Sequence, residues 1–284
     1  MITLVLTLPL FAGSTLTTAL VEMPVAVKSI VTSAYTATPH EAILGQIRAF
    51  RNDDVAALLR SFVTDAQFEG METAWEAERK RTPDATENTE FTSFIERFSG
   101  DDAEQKLWPE LEDALSEMRP QLDMTMGMMF AMAQGAMVED DSVSAQDRGE
   151  ITAVMGAVQE LLTEKDLTDP KLARRALAIV CETVRMLDVE NLDDIYALSF
   201  EQLLDRAGLG LRGLKEALAI YGLELNGWLS SISAETLHTD GDYAVVRVKF
   251  SVLGLDESSE VEMTRIAGRW FSKESADQAA ALGK

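Results

Sequence analysis

Up to Trp228, apolar residues recur at intervals of three and four, and from Ala244 they recur at every second position. The first spacing lays them along one face of a helix and the second along one face of a strand. The expected fold is therefore α+β and predominantly helical: a multi-helix bundle followed by a C-terminal antiparallel β-meander of three or four strands. Thr38-Pro39 opens the first helix, with a hydroxyl to cap it and proline at its first position, and Ile43, Ile47 and Phe50 form its stripe. Asn52-Asp53-Asp54 turns the chain into a second helix carrying Val55, Leu58, Leu59, Phe62 and Val63. A third, from about Ala66 to Arg81, presents Phe68, Met71 and Trp75. After a polar break at Thr82 to Thr86, a short helix runs from Asn88 to Phe98. The next carries Leu107, Trp108, Leu111, Leu115 and Met118, and Pro109 is expected to kink it or mark its true start.

Leu122 to Val138 differs from these. It has no charged residue between Asp123 and Glu139, and methionine, phenylalanine and alanine cover every side of a helix drawn through it. A helix apolar all round belongs in an interior, and the run falls short of the roughly 20 residues that a bilayer span needs. The expectation is a buried Met-rich helix at the centre of the bundle. An acidic loop, Glu139 to Ser144, leads to an amphipathic helix with Ile151, Val154, Met155, Val158, Leu161 and Leu162. Asp169-Pro170 starts a strong helix with Leu177, Val180, Val184 and Leu187, and Ser199 with Gln202 makes a capping box before Leu203 and Leu204. After Gly208, the run Leu211 to Tyr221 and a short helix near Trp228 complete the helical part.

In GDYAVVRVKFSV the residues Ala244, Val246, Val248, Phe250 and Val252 share one face of a strand, and Tyr243, Val245, Arg247, Lys249 and Ser251 share the other. Asp240-Gly241 supplies a hairpin turn from a strand near Glu235 to Thr239. Gly254 to Ser259 reads as a polar loop, followed by strands VEMTRI and RWF around Ala267-Gly268. The chain thus divides into a signal-like or anchor segment at 1–37, a helical domain at 38–232, a β-meander at 233–273 packed on the helices, and a flexible tail at 274–284.

The first segment has no charge before Glu22 and no basic residue before Lys28. Its apolar half followed by Gly, Ser and Thr fits the core and tail of a secretory signal, cleaved after Ala19 or Ala34, although the basic leading region is missing. An uncleaved membrane anchor is the second reading and a buried helix in a cytosolic fold the third. A periplasmic or secreted protein is expected. With 25 basic against 48 acidic residues the formal charge is −23, which repels phosphate backbones and anionic headgroups. No nucleic-acid or peripheral membrane binding is expected; a small apolar ligand or a cationic protein partner remains. Cys181 is the single cysteine, so no intramolecular disulfide forms and no lipid-bearing cysteine lies near the N-terminus.

Three stretches carry a family resemblance. TPHEAILGQIRAFRNDDVAALLRSF, Thr38 to Phe62, resembles the paired helices that open many bacterial envelope domains of the nuclear-transport-factor-2-like fold. GDYAVVRVKF and VEMTRIAGRWF resemble the strands that close such domains. As a whole the chain resembles exported bacterial proteins. The resemblance implies a curved sheet over a pocket for a small apolar ligand, and no residue of this chain carries that pocket over. The residues from Gly70 to Ser230 depart from it, since they read as helices which that fold lacks.

The search for chemistry begins at Gly208-Leu209-Gly210-Leu211-Arg212-Gly213, which matches GxGxxG. A dinucleotide site needs a strand before those glycines, and here a helix precedes them, so a helix–helix turn is expected. Met124, Met128 and Met132 fall on successive turns of one face and are the candidate Cu(I) ligands, with core packing as the stronger reading because no histidine or cysteine is near. Cys181 has Arg185 four residues on, which could favour a thiolate, against inert packing. His40 and His238 stand in no metal or nucleophile motif. The acidic pairs Asp53-Asp54, Asp101-Asp102, Asp140-Asp141 and Asp193-Asp194 lie where helices start and are expected to cap them. The loop after Glu139 lacks the mid-loop glycine of a calcium site. No cofactor or metal is expected, and catalytic residues are not identifiable. The reading is an exported binding or interaction module without enzymatic activity. The alternatives are a hydrolase-type enzyme whose carboxylates the fold assembles and, third, Cu(I) handling.

Overall fold

The computed structural model describes residues 38–121 and 166–276, together with single positions between 128 and 160. Helix α1, Pro39–Arg51, has its proline at the first turn as expected, but the Thr38 hydroxyl makes no cap and is buried without a partner. Asp54 caps α2, Val55–Phe62, by accepting from the Ala57 amide at 2.8 Å. Thr64 and Gln67 form a reciprocal capping box that starts α3, Asp65–Glu78. Asp84 starts α4, Ala85–Ser99. Helix α5, Ala103–Met118, runs through Pro109, so the proline does not mark its start. Asp169 caps α6, Pro170–Leu187. Asn191 and Asp194 box the short α7, Leu192–Ala197. The expected Ser199–Gln202 box starts α8, Phe200–Ile220, and α9 spans Leu225–Ser230.

The sheet is a single antiparallel meander of β1, Ser233–Asp240, β2, Tyr243–Val252, β3, Leu255–Ile266, and β4, Arg269–Ser272. The fold is thus α+β and predominantly helical. The expected loop at Gly254 to Ser259 is instead the beginning of β3. The turn is only Leu253-Gly254, with φ of 53° and 80°, and Ala267-Gly268 repeats it at 51° and 85°. Positive φ at both central residues makes a type I′ hairpin, whose twist matches that of the strands it joins. The polar run Asp256 to Ser259 misleads because one face of this sheet is wet, where strand residues need not be apolar.

Three buried clusters hold the described residues. Ile43 of α1 packs on Ala244, Val246, Met263 and Trp270, so α1 lies on the apolar face of the sheet, which is the face the alternation in β2 marks. Ala173, Leu177 and Cys181 of α6 pack on Ala103, Leu107 and Trp108 of α5. Val184 joins Ile95, Val189 and Ile195. Helix α8 lies along α6, and α2 and α3 rest on α8.

The expected centre of the bundle is not found among these clusters. Met128 and Met132 are helical yet 61% and 69% exposed, which corrects the buried Met-rich helix at those two positions; most of Leu122 to Val138 lies outside the described residues. Absence of charge shows that a helix tolerates burial, not that its neighbours cover it. The described residues that flank 122–165 are tied to one another. Arg119, in a 3₁₀ turn at Arg119–Gln121, donates to the Thr168 hydroxyl at 2.7 Å and to Asp166 at 2.9 Å. The segments 1–37 and 277–284, with the expected leader and most of the tail, also lie outside the described residues. No helix among the described residues is long and apolar enough to cross a membrane.

Candidate functional site: a charged cleft between α2 and α8

The turn from α1 to α2 docks on the middle of α8. Asp53 adopts a left-handed backbone, φ 60°, a conformation that Asp tolerates better than most side chains. Its carbonyl presses on Gly208, where a Cβ would stand 2.4 Å away. Lys215, one to two turns further along α8, is only 6% exposed. It donates to the carbonyls of Phe50 at 2.8 Å and Arg51 at 3.2 Å, and to Asn226 Oδ1 at 3.2 Å. Its Nζ is also 2.5 Å from Asp53 Oδ1. That oxygen has no aligned hydrogen-bond donor, so proximity of opposite charge, not bond geometry, holds the pair. Arg212 donates from Nε to Asp53 Oδ2 at 3.1 Å. A buried ammonium needs this density of oxygen partners, because desolvating it unpaired is costly.

Beside this junction lies an open cleft of about 550 Å³. Its chemistry comes from four carboxylates, Asp53, Asp54, Glu201 and Asp205, and two guanidinium groups, Arg60 and Arg212. Most of these are already engaged. Asp53 holds Lys215 and Arg212, Asp54 caps α2, and Arg60 stacks on the Phe68 ring at 3.6 Å. Glu201 and Asp205, one turn apart on α8, make no ion pair or hydrogen bond among the described residues and are exposed. The lining holds no histidine, cysteine, serine or threonine. The carboxyls held below the ordinary carboxylate range lie on other elements, each for a local reason. Amide hydrogen bonds from Thr86 lower Asp84, and Arg185 lowers Glu104. The Thr168 hydroxyl lowers Asp166, and Lys273 lowers Glu262.

The residues singled out in the sequence do not gather here, apart from the first acidic pair and part of the glycine run. Gly208 to Gly213 form no turn: all lie inside α8. Gly208 admits the α1–α2 turn, and Gly213 admits α6, where a Cβ would be 2.0 Å from Thr183 Oγ1. Gly208 and Gly213 are therefore notches for close approach, whereas Gly210 faces open space, and the expected helix–helix turn is corrected. Of the acidic pairs, Asp54 caps as expected, and Asp194 accepts from the amides of Glu190 and Asn191. Asp53 does not cap but is ion-paired, and Asp102 makes no side-chain cap and pairs with Lys106 at 2.9 Å. Asp140-Asp141 lies outside the described residues. His40 Nδ1 is 2.9 Å from Thr236 Oγ1, while His238 follows a register shift in β1. Met124 lies outside the described residues. Among the described residues no group of three or more His, Cys, Asp or Glu is placed to hold a metal.

Cys181 is fully buried against α5. Burial pushes its thiol above the ordinary range, the Glu104 charge adds to this, and Arg185 opposes it. Arg185 is itself spent: it donates to both Glu104 oxygens at 2.8 Å and to the carbonyls of Ser99 and Gly100. These surroundings fit inert packing, the stronger of the two readings of Cys181, and not the thiolate alternative. The native chain is expected to resist iodoacetamide, with Cys181 alkylated at the rate of global opening. Labelling in native buffer as fast as a free thiol would contradict this.

Sequence reasoning missed Glu201, Asp205, Arg212 and Lys215. One signal was available for the last: Lys215 is seven residues from Gly208 and eleven from Leu204, which places a lysine on the buried face of its helix. We compared the chain with family models, curated proteins and solved structures, and none matched.

Proposed function

We propose that this chain is an exported binding module without enzymatic activity, and that it takes a cationic protein segment at the cleft between α2 and α8. The observation that carries this reading is the pairing pattern. Within the cleft Arg212 is paired with Asp53 and Arg60 stacks on Phe68, while Glu201 and Asp205 stay exposed and make no ion pair among the described residues. A lysine or arginine side chain is what such a surface attracts, and the formal charge of −23 raises its encounter rate. A small apolar ligand, the other partner expected, needs an enclosed apolar pocket; half of this lining is charged and the cleft is open. The hydrolase reading has its carboxylates at one cavity, but Asp53 is engaged by Lys215 and Arg212 and Asp54 by the Ala57 amide. The nuclear-transport-factor-2-like resemblance enters as part of the proposal, and α1 seated on the sheet through Ile43 is compatible with it. Export rests on the uncharged stretch before Glu22 and is tested by N-terminal sequencing of the protein from its native host.

The test of binding is calorimetric titration of the full chain with octalysine. Glu201→Gln with Asp205→Asn is expected to weaken affinity at least tenfold, about 1.4 kcal/mol. Asp113→Asn with Glu117→Gln removes the same charge from α5 and is expected to change it less than twofold. Equal losses from the two pairs would leave only general electrostatic attraction and overturn the reading.

A further inference from the structure

The two edges of the sheet differ. Strand β1 is interrupted by the register shift between Thr236 and His238, a device that discourages further pairing. Strand β3 pairs with β2 without interruption from Thr264 to Leu255, but with β4 only from Met263 to Ile266. Its first half therefore has β2 on one side and no strand on the other among the described residues.

The hairpin geometry fixes which backbone groups face that open side. A two-residue turn at Ala267-Gly268 makes Ile266 and Arg269 a hydrogen-bonded pair, so the even-numbered residues of β3 bond towards β4. The Arg265 amide, donating to the Asp242 carbonyl at 2.8 Å, confirms that odd-numbered residues face β2. Asp256, Ser258 and Glu260 thus point their amides and carbonyls outward, and no other described segment supplies a backbone partner. Beside them, at the end of the β2–β3 hairpin, is a second open cleft of about 440 Å³ lined by Ser231, Lys249, Phe250, Ser251 and the stretch from Asp256 to Ser258.

We propose that the open edge of β3, from Leu255 to Val261, accepts an extended cationic segment of another protein as an added β-strand. Main-chain bonds to Asp256, Ser258 and Glu260 supply the attachment, and the adjoining cleft receives a basic side chain. Charge selects this occupant. Glu260 is paired with Arg247 at 2.9 Å and Lys249 stands 3.4 Å from Glu235, whereas Asp256 and Glu257 have no ion pair among the described residues. A second copy of the chain, paired edge to edge, would set these acidic residues against one another, which is unfavourable. Asp256 and Glu257 point to opposite faces of β3, so a strand alternating lysine with valine sets a lysine opposite Glu257 while its valines bond to the outward main-chain groups of Asp256 and Ser258. The inference shares with the cleft reading the premise of a binding module, but it uses a different surface.

The experiment is residue-resolved amide exchange on the full chain with the peptide TKVKVKT, and with TKPKPKT as a control of equal charge that cannot complete a ladder. With TKVKVKT, exchange at Asp256, Ser258 and Glu260 is expected to slow at least tenfold; with TKPKPKT it is expected not to change. Asp256→Lys with Glu257→Lys should weaken TKVKVKT binding at least tenfold, and Glu201→Gln with Asp205→Asn should leave the edge response intact. Equal effects of both peptides, or no slowing, would overturn the proposal. So would protection already present in the free chain, or protection that grows with protein concentration without peptide. If the cleft reading fails alone, the edge amides still respond.

Discussion

Gly208→Ala is expected to destabilise the chain by about 2 kcal/mol, while Gly210→Ala, two residues away, stabilises it by up to about 1 kcal/mol. Both substitutions sit inside α8, where alanine is intrinsically better than glycine by about 1 kcal/mol. At Gly210 nothing lies within 4 Å of the new Cβ, so only that gain remains. At Gly208 the Cβ meets the Asp53 carbonyl at 2.4 Å. That oxygen is backbone, in a turn held by Lys215 and Arg212, and cannot swing aside as a flexible side chain would. Overpacking of this kind costs about 1–3 kcal/mol and sometimes more, and it outweighs the gain in propensity. Urea unfolding of the two variants, with m unchanged, reads the difference directly. Two variants of the same sign would mean that the α1–α2 turn does not bear on α8 at this point.

Lys215→Met is expected to cost about 3 kcal/mol, and Asp53→Asn about 1 kcal/mol. Removing one partner of a buried pair costs about 3–5 kcal/mol because it strands the other charge. Two details set the asymmetry. Without the ammonium, the carbonyls of Phe50 and Arg51 lose their donor and Asp53 keeps only Arg212, so the lower end of that range applies. Without the carboxylate, Lys215 keeps three oxygen acceptors, and asparagine is at ease at the φ of 60° that position 53 requires. Thermal unfolding of the two single variants and the double variant separates the pair from its surroundings. A larger loss for Asp53→Asn than for Lys215→Met would reverse the assignment of which group depends on the other.

How much of this was legible before the structure depends on the range of the interaction. The faces of β2, the Ser199–Gln202 box and the Asp169 cap are written in residues a few positions apart, and the structure has them as expected. The Thr64–Gln67 box was equally local, and the expected start of α3 near Ala66 lies one residue from the observed Asp65. The first half of β3 was hidden, since Asp256 to Ser259 lacks the apolar alternation that one wet face makes unnecessary. The cleft was not legible at all. It joins Asp53 and Asp54 to Glu201 and Asp205 across well over a hundred residues, and no local pattern ties those positions together. The glycines of α8 look the same in sequence whether they cradle phosphate, make a turn or admit a neighbouring carbonyl; only the neighbour decides.

The measurement closest to the central claim is a two-dimensional amide spectrum of the full chain during titration with octalysine. The account predicts shifts concentrated at residues 54–57 and around Glu201, Asp205 and Leu209, saturating together, with α4 and α5 unchanged. Shifts spread evenly over the acidic surface and following bulk salt would contradict it.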